Sequence, residues 1–204
     1  MGLYQDRKIA AGVVRGRWLV PAFITIIACV VALGGDDARE WLRYDRQAIG
    51  DGEYWRLLGG HITHMGVSHL ALNIAGLYLV WMLVGSRLSI AGWIWVLAAG
   101  VAGINAGFWF LDKNLVWYVG LSGLLHTLLV AGAIAGLWKQ RGESLAILMI
   151  VLGKIAYEQI AGPMPGSEMS SGGPVVVNAH LYGALAGLIC GMAIWRRVAR
   201  AGPI

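Results

Sequence analysis

Six apolar runs, at residues 18–33, 67–85, 90–111, 118–138, 144–162 and 176–195, take up more than half of this 204-residue chain. Each approaches the ~20 apolar residues that a helix needs to cross a hydrocarbon core ~30 Å thick. No water reaches that depth, so an open sheet would leave its backbone unpaired and only helices fit. Composition agrees. The hydrophobic share is 58% and the charged share 13%, against ~45–50% apolar in ordinary soluble domains. Mean hydropathy is +0.66, which argues against a disordered chain and against a water-soluble globular one. Little length remains outside six spans. The expectation is one all-α membrane domain over residues 1–204, with no second soluble domain. The first run could pass for a signal peptide, but a long charged leader and a membranous remainder favour a retained helix. Cys29 and Cys190 both fall inside apolar runs and read as small core residues rather than a disulfide.

The net charge of +5 could suggest nucleic acid. The basic residues are instead scattered through short connections between the runs, which argues for no nucleic-acid partner and for a lipid bilayer. Ten Lys and Arg lie in the amino-terminal segment (Arg7, Lys8, Arg15, Arg17), the second and fourth connections (Arg87, Lys139, Arg141) and the tail (Arg196, Arg197, Arg200). Five lie in the first and third connections (Arg39, Arg43, Arg46, Arg56, Lys113), which also hold most of the acids. The excess of basic residues marks the cytoplasmic side. Both termini, 1–17 and 196–204, are therefore expected in the cytoplasm, with the first loop at 34–66 outside.

In that topology the second, fourth and sixth helices all begin at the outer face. The second is approached through His61 and His64 and carries His69 and Asn73 in its first turns. The fourth begins Gly120-Leu121-Ser122-Gly123, with His126 one turn on, and the sixth begins Asn178-Ala179-His180. All five histidines thus fall at one depth. Polar groups within spans are costly and face a cavity or a partner, so a shared outward-opening pocket is expected.

A serine hydroxyl attacks only when a base takes its proton, and histidine is the natural base near neutral pH. Ser122 and His180 are the candidate pair. No Asp or Glu stands near the start of the fourth or sixth helix to orient the imidazole, so the expectation is a Ser–His dyad rather than a triad. His126, at i+4 from Ser122, can pack against His180. Acyl transfer also needs donors for a developing oxyanion. His69 and Asn73 share one helix face, and the backbone N–H groups of Leu121 and Ser122 sit near a helix start. Close approach of the helices is expected through Gly183, Gly187 and Gly191 in the sixth and Gly132 and Gly136 in the fourth.

These residues resemble the rhomboid family of intramembrane serine proteases. The matching motifs are His64 with His69-Leu-Ala-Leu-Asn73, Gly120-Leu-Ser122-Gly123, and Ala179-His180-Leu-Tyr-Gly183-Ala-Leu-Ala-Gly187, together with Trp55-Arg56 at the end of the first loop. The resemblance implies a six-helix rhomboid-like bundle, Ser122 as nucleophile, His180 as base, and His69 and Asn73 as oxyanion donors. Gly120, Gly123, His126 and His64 would support the site, with His61 interfacial or secondary. Many rhomboids carry a tyrosine one turn after the serine, where this chain has His126. That departure, with Leu42-Arg-Tyr-Asp-Arg46, Gly52-Glu-Tyr-Trp-Arg56 and Glu158-Gln159, resembles the rhombosortase subgroup. The subgroup implies a bacterial inner-membrane location with an active site open to the periplasm, and no cofactor or metal. Its substrates are exported proteins ending in a Gly-Gly motif, a spanning helix and a basic tail.

Several readings stay open at this level. Lys154 and Glu158, at i,i+4 in the fifth run, are either a mutually neutralising pair or, through Glu158, part of a substrate gate. The first loop reads as an amphipathic interfacial element whose arginines meet headgroups or loop carboxylates. The Gly-, Pro- and Ser-rich loop at 163–174 reads as a cap over the pocket. Two other functional classes compete. One is a metal or haem membrane protein using His61, His64, His69 and His180. The other is a non-catalytic rhomboid relative that binds spanning helices.

Overall fold

The computed structural model describes residues 18–201. The first 17 residues, with their four basic side chains, and residues 202–204 of the expected tail lie outside the described residues. The elements in chain order are α1 (Leu19–Leu33), α2 (Gly35–Leu42), β1 (Tyr44–Asp45), α3 (Arg46–Gly50), α4 (Arg56–Ile62), α5 (Val67–Val84), α6 (Ile90–Ala106), β2 (Trp117–Tyr118), α7 (Ser122–Ala135), α8 (Arg141–Ala161), α9 (Ser167–Ser171) and α10 (Val177–Ala201). The protein is mostly helical and multi-spanning. By length and composition α5, α8, α10 and the stretch Ile90–Phe110 can each cross a bilayer. A fifth span follows if α1 and α2, bent by 116° at their junction, are counted as one.

The fourth run departs from expectation. It does not form a helix from Tyr118. Tyr118 instead pairs with Tyr44 in a two-stranded antiparallel ribbon. The chain then turns at Gly120, whose φ of +130° suits only glycine, and the Gly120 N–H donates to Gly60 O at 2.8 Å. α7 therefore starts at Ser122 and, even with its closing 3-10 turn, is shorter than the long spans. It can be short because it is central. Leu124, Leu128, Val130 and Ile134 are buried among α5, α6, α8 and α10. Irregular backbone at membrane depth is tolerated where protein covers it.

α7 and α10 make the most extensive helix contact. A Cβ on Gly183 would collide with Gly123 O, one on Gly187 with Thr127 O, and one on Gly191 with Ala131 and Ile134. Glycine thus lets the two backbones touch. Gly132 and Gly136 do not share this seam, contrary to expectation. Gly132 faces Val84 and Trp93, and Gly136 faces Arg87 and Ser144. A helix repeats every 3.6 residues, so a four-residue glycine spacing fixes a stripe without saying which neighbour it meets.

The first loop is folded. Asp45 accepts from Ala48 N at 3.2 Å and starts α3. Arg56 bonds Glu53 at 2.5 Å and Glu40 O at 2.6 Å. Arg46 donates to the carbonyls of Phe108, Leu115 and Asp112, satisfying the loosened end that follows α6. Trp41, Tyr54, Trp55 and Leu58 are exposed, while Tyr44 and Ile49 are buried. This is the two-faced character of an interfacial element.

Replacing Gly183 by leucine should force α10 off α7. Overpacking typically costs ~1–3 kcal/mol even where side chains can shift, and here the obstacle is backbone. The expected outcome in detergent thermal melts is a large loss of stability for Gly183→Leu. Gly153→Leu, whose Cβ meets open space, should melt like the wild type.

Candidate active site

Four elements bring polar side chains to one cleft of about 250 Å³. α7 contributes Ser122 and His126, α10 His180, α5 His69 and Asn73, and α8 Lys154 and Glu158. The segment around α9 roofs it with Met164, Ser167, Ser170, Ser171 and Val175, the place expected of a cap. A larger cavity, about 720 Å³ between α1, α4, α6 and α7, is lined by apolar side chains and lacks reactive groups.

Ser122 opens α7 because Gly120 has just turned the chain, and His180 lies one turn into α10. The glycine seam below them sets the spacing. His180 Nε2 stands 2.9 Å from Ser122 Oγ. With a lone pair on Nε2, the imidazole can accept the hydroxyl proton. His126 stacks on His180 with centroids 4.4 Å apart and planes 22° apart. Its Nδ1 lies 2.8 Å from Ser122 O, so the ring is held by α7's own backbone.

His69 Nδ1 accepts from Met65 N at 3.3 Å, which leaves Nε2 to carry the proton. The ring lies against Gly120, where a Cβ would stand 3.1 Å from Nε2. Asn73 Nδ2 donates to His69 O at 3.0 Å while the side chain borders the cleft. Leu121 is the N-cap residue of α7, so the Leu121 and Ser122 N–H groups stand at an open helix start.

The Rhomboid domain family matches residues 51–197. The chain belongs to the rhomboid family. Among curated proteins nothing matches. The rhomboid match spans every residue that lines the cleft.

One expectation about this rhomboid's site is overturned. An acid does reach the imidazole: Glu158 Oε2 lies 2.9 Å from His180 Nδ1. Glu158 also takes a hydrogen bond from Lys154 Nζ on Oε1 at 2.7 Å, so the i,i+4 ion pair is present as well. Glu158 is buried and its carboxylate is turned toward His180. Distance along the chain hid this contact. The acid belongs to α8, whose packing beside α10 leaves no mark in local sequence. A lone carboxylate inside an apolar run was the available signal.

The five histidines do not share one pocket. His64 stands behind His69, edge-on at 5.1 Å, and borders a separate cavity with Asp36, Arg39 and Thr63. His61 is 1% exposed rather than interfacial. It packs edge-on against Tyr118 and meets Asn105 Nδ2 at 3.3 Å. Equal depth in the sequence did not mean one pocket, because the short α4 turns His61 into the loop core. His61, His64, His69 and His180 therefore do not converge. Among the described residues no group of three His, Cys, Asp or Glu is placed to hold a metal ion.

Burial pushes the His61 imidazole down to about 4. Burial, then the neighbouring His69, pushes His64 to about 3. Such rings take up a proton on unfolding, so their contribution is intact above ~6.5 and is lost as pH falls toward the folded values. The melting temperature in detergent should therefore drop between pH 6.5 and 4. His61→Gln should make that drop smaller by ~5–10 °C; an unchanged drop would contradict a neutral buried His61.

Proposed function

We propose that this rhomboid is an intramembrane serine endopeptidase in which Ser122 is the nucleophile and His180 its base. The observation that carries the reading is the 2.9 Å contact between Ser122 Oγ and His180 Nε2 inside a cleft walled by apolar helices. Nε2 takes the hydroxyl proton as Oγ attacks the scissile carbonyl carbon. The carbonyl oxygen becomes an oxyanion. His69 Nε2–H, the Asn73 amide and the Leu121 and Ser122 backbone N–H groups are its donors. His180 then returns the proton to the leaving amide nitrogen as the C–N bond breaks, leaving an acyl ester on Ser122. Gly120 keeps the backbone clear beside His69, Gly123 admits α10, and His126 and His64 back the two working rings.

The topology we propose has six spans, both termini in the cytoplasm and the cleft opening to the periplasm of a bacterial inner membrane. The single domain covers 1–204, with cytoplasmic ends at 1–17 and 196–204 and a periplasmic first loop at 34–66. Basic side chains support it. Arg87 bonds Ser144 Oγ at 3.0 Å at the end of the bundle away from Ser122, and Lys139, Arg141, Arg196 and Arg197 flank helix ends on that side. The first-loop motifs and His126 support membership of the rhombosortase subgroup. The substrates on this reading are exported proteins with a Gly-Gly motif, a spanning helix and a basic tail, which cleavage frees from the membrane for secretion or surface attachment.

Co-expression with such a substrate, read by release of its soluble portion, tests the reading. Ser122→Ala and His180→Ala should each abolish release while the proteins still accumulate in the membrane. Asn73→Ala should lower the rate by no more than roughly 10²–10³-fold, because other donors remain. Release at the normal rate by Ser122→Ala would end the proposal.

A further inference from the structure

Glu158 has more contacts than charge neutralisation requires. One oxygen, Oε1, satisfies Lys154 Nζ at 2.7 Å, and that pairing alone would offset the cost of an acid in an apolar helix. The side chain nevertheless turns inward, 2% exposed, while its lysine partner stays 33% exposed. Its second oxygen, Oε2, reaches across to α10 and stands 2.9 Å from His180 Nδ1. The carboxylate is a fork between a cation and an imidazole, on the ring edge opposite Ser122.

Two contacts against one place the His180 proton on Nδ1. A carboxylate oxygen accepts only, so at 2.9 Å it needs a hydrogen on Nδ1. Lys154 Nζ is also near Nδ1, at 3.2 Å, and would favour a bare nitrogen. Its shorter bond, however, goes to Glu158. A hydrogen on Nδ1 leaves the lone pair on Nε2, where Ser122 Oγ lies at 2.9 Å. The opposite tautomer would set two acceptors face to face at Glu158 and leave no base at Ser122.

We propose that Glu158 is the positioning residue of His180. Its Oε2 accepts the Nδ1 proton and holds the ring in the tautomer that can deprotonate Ser122, while Lys154 ties Oε1 and stops the carboxylate from turning away. When Ser122 Oγ bonds to the carbonyl carbon, its proton moves to Nε2. The Nδ1 proton stays between ring and carboxylate, so the imidazolium forms beside a negative charge already in place. No proton passes to Glu158, and the Nε2 proton leaves with the amine. This role rests on the protease reading, since without attack by Ser122 there is nothing for His180 to be positioned for.

The test compares wild type, Glu158→Gln and Lys154→Met/Glu158→Gln, the last carrying no unpaired buried charge if the single variant fails to accumulate. Two quantities are read: the rate at which a fluorophosphonate labels Ser122, and the His180 tautomer from ¹⁵N-histidine spectra in nanodiscs. Losing the carboxylate that fixes a catalytic imidazole's tautomer can cost roughly 10⁴-fold, so labelling is expected to slow by roughly 10²–10⁴-fold in either variant. The Nδ1–H tautomer should dominate in wild type and become mixed in the variants, with melting temperatures of the double variant close to wild type. A purely structural role for Glu158 would not move the tautomer. Labelling at the wild-type rate in the variants, or an unchanged tautomer, overturns the role of Glu158 and leaves the protease reading standing. A wild type that never labels at Ser122 overturns the protease reading itself.

Discussion

The whole site depends on two helix backbones touching. Gly183 lies on Gly123 O and Gly187 on Thr127 O, backbone on backbone, and Gly191 lies against Ala131 and Ile134. Helices in lipid gain nothing from hydrophobic burial against each other, so close van der Waals packing through small residues is what joins them. That seam sets the heads of α7 and α10 at a separation where a serine side chain meets a histidine side chain. A single added methyl along it would move Ser122 and His180 apart.

The polar side chains of the cleft gather around that meeting. α7 is short and starts inside the protein, so the chain can turn at Gly120 within the bundle and leave room for a cleft roofed by the α9 segment. The buried Glu158 is paired rather than isolated, with the half-buried Lys154 on one side and His180 on the other. Low polarity around such a row strengthens every contact in it and makes any unpaired member costly. The proposed chemistry uses groups that the membrane would otherwise expel.

Much of this was legible in the residues, and for physical reasons. Apolar run length marked the long helices α5, α6, α8 and α10, and Ser122, His69, Asn73, His126 and His180 do meet at one cleft. The i+4 spacing of His126 gave its stacking partner. Contacts between elements that no local rule relates were hidden. Glu158 lies 22 residues from His180 and on another helix. Gly132 faces α5 and α6 because helix rotation is set by all of α7's neighbours at once. Tyr118 reads as the start of an apolar helix, yet it pairs with Tyr44 because the first loop folds back beneath it. His61 has the depth of the others but sits on α4, whose close packing at Gly59 and Gly60 against Leu42 and Tyr44 turns it inward.

The most direct measurement is an experimental structure of the protein after reaction with a small fluorophosphonate. The account predicts phosphorus bonded to Ser122 Oγ, a phosphoryl oxygen between His69 and Asn73, and His180 still beside Glu158. A phosphonate on another side chain, or Ser122 and His180 seated beyond hydrogen-bond reach in the unreacted protein, would contradict it.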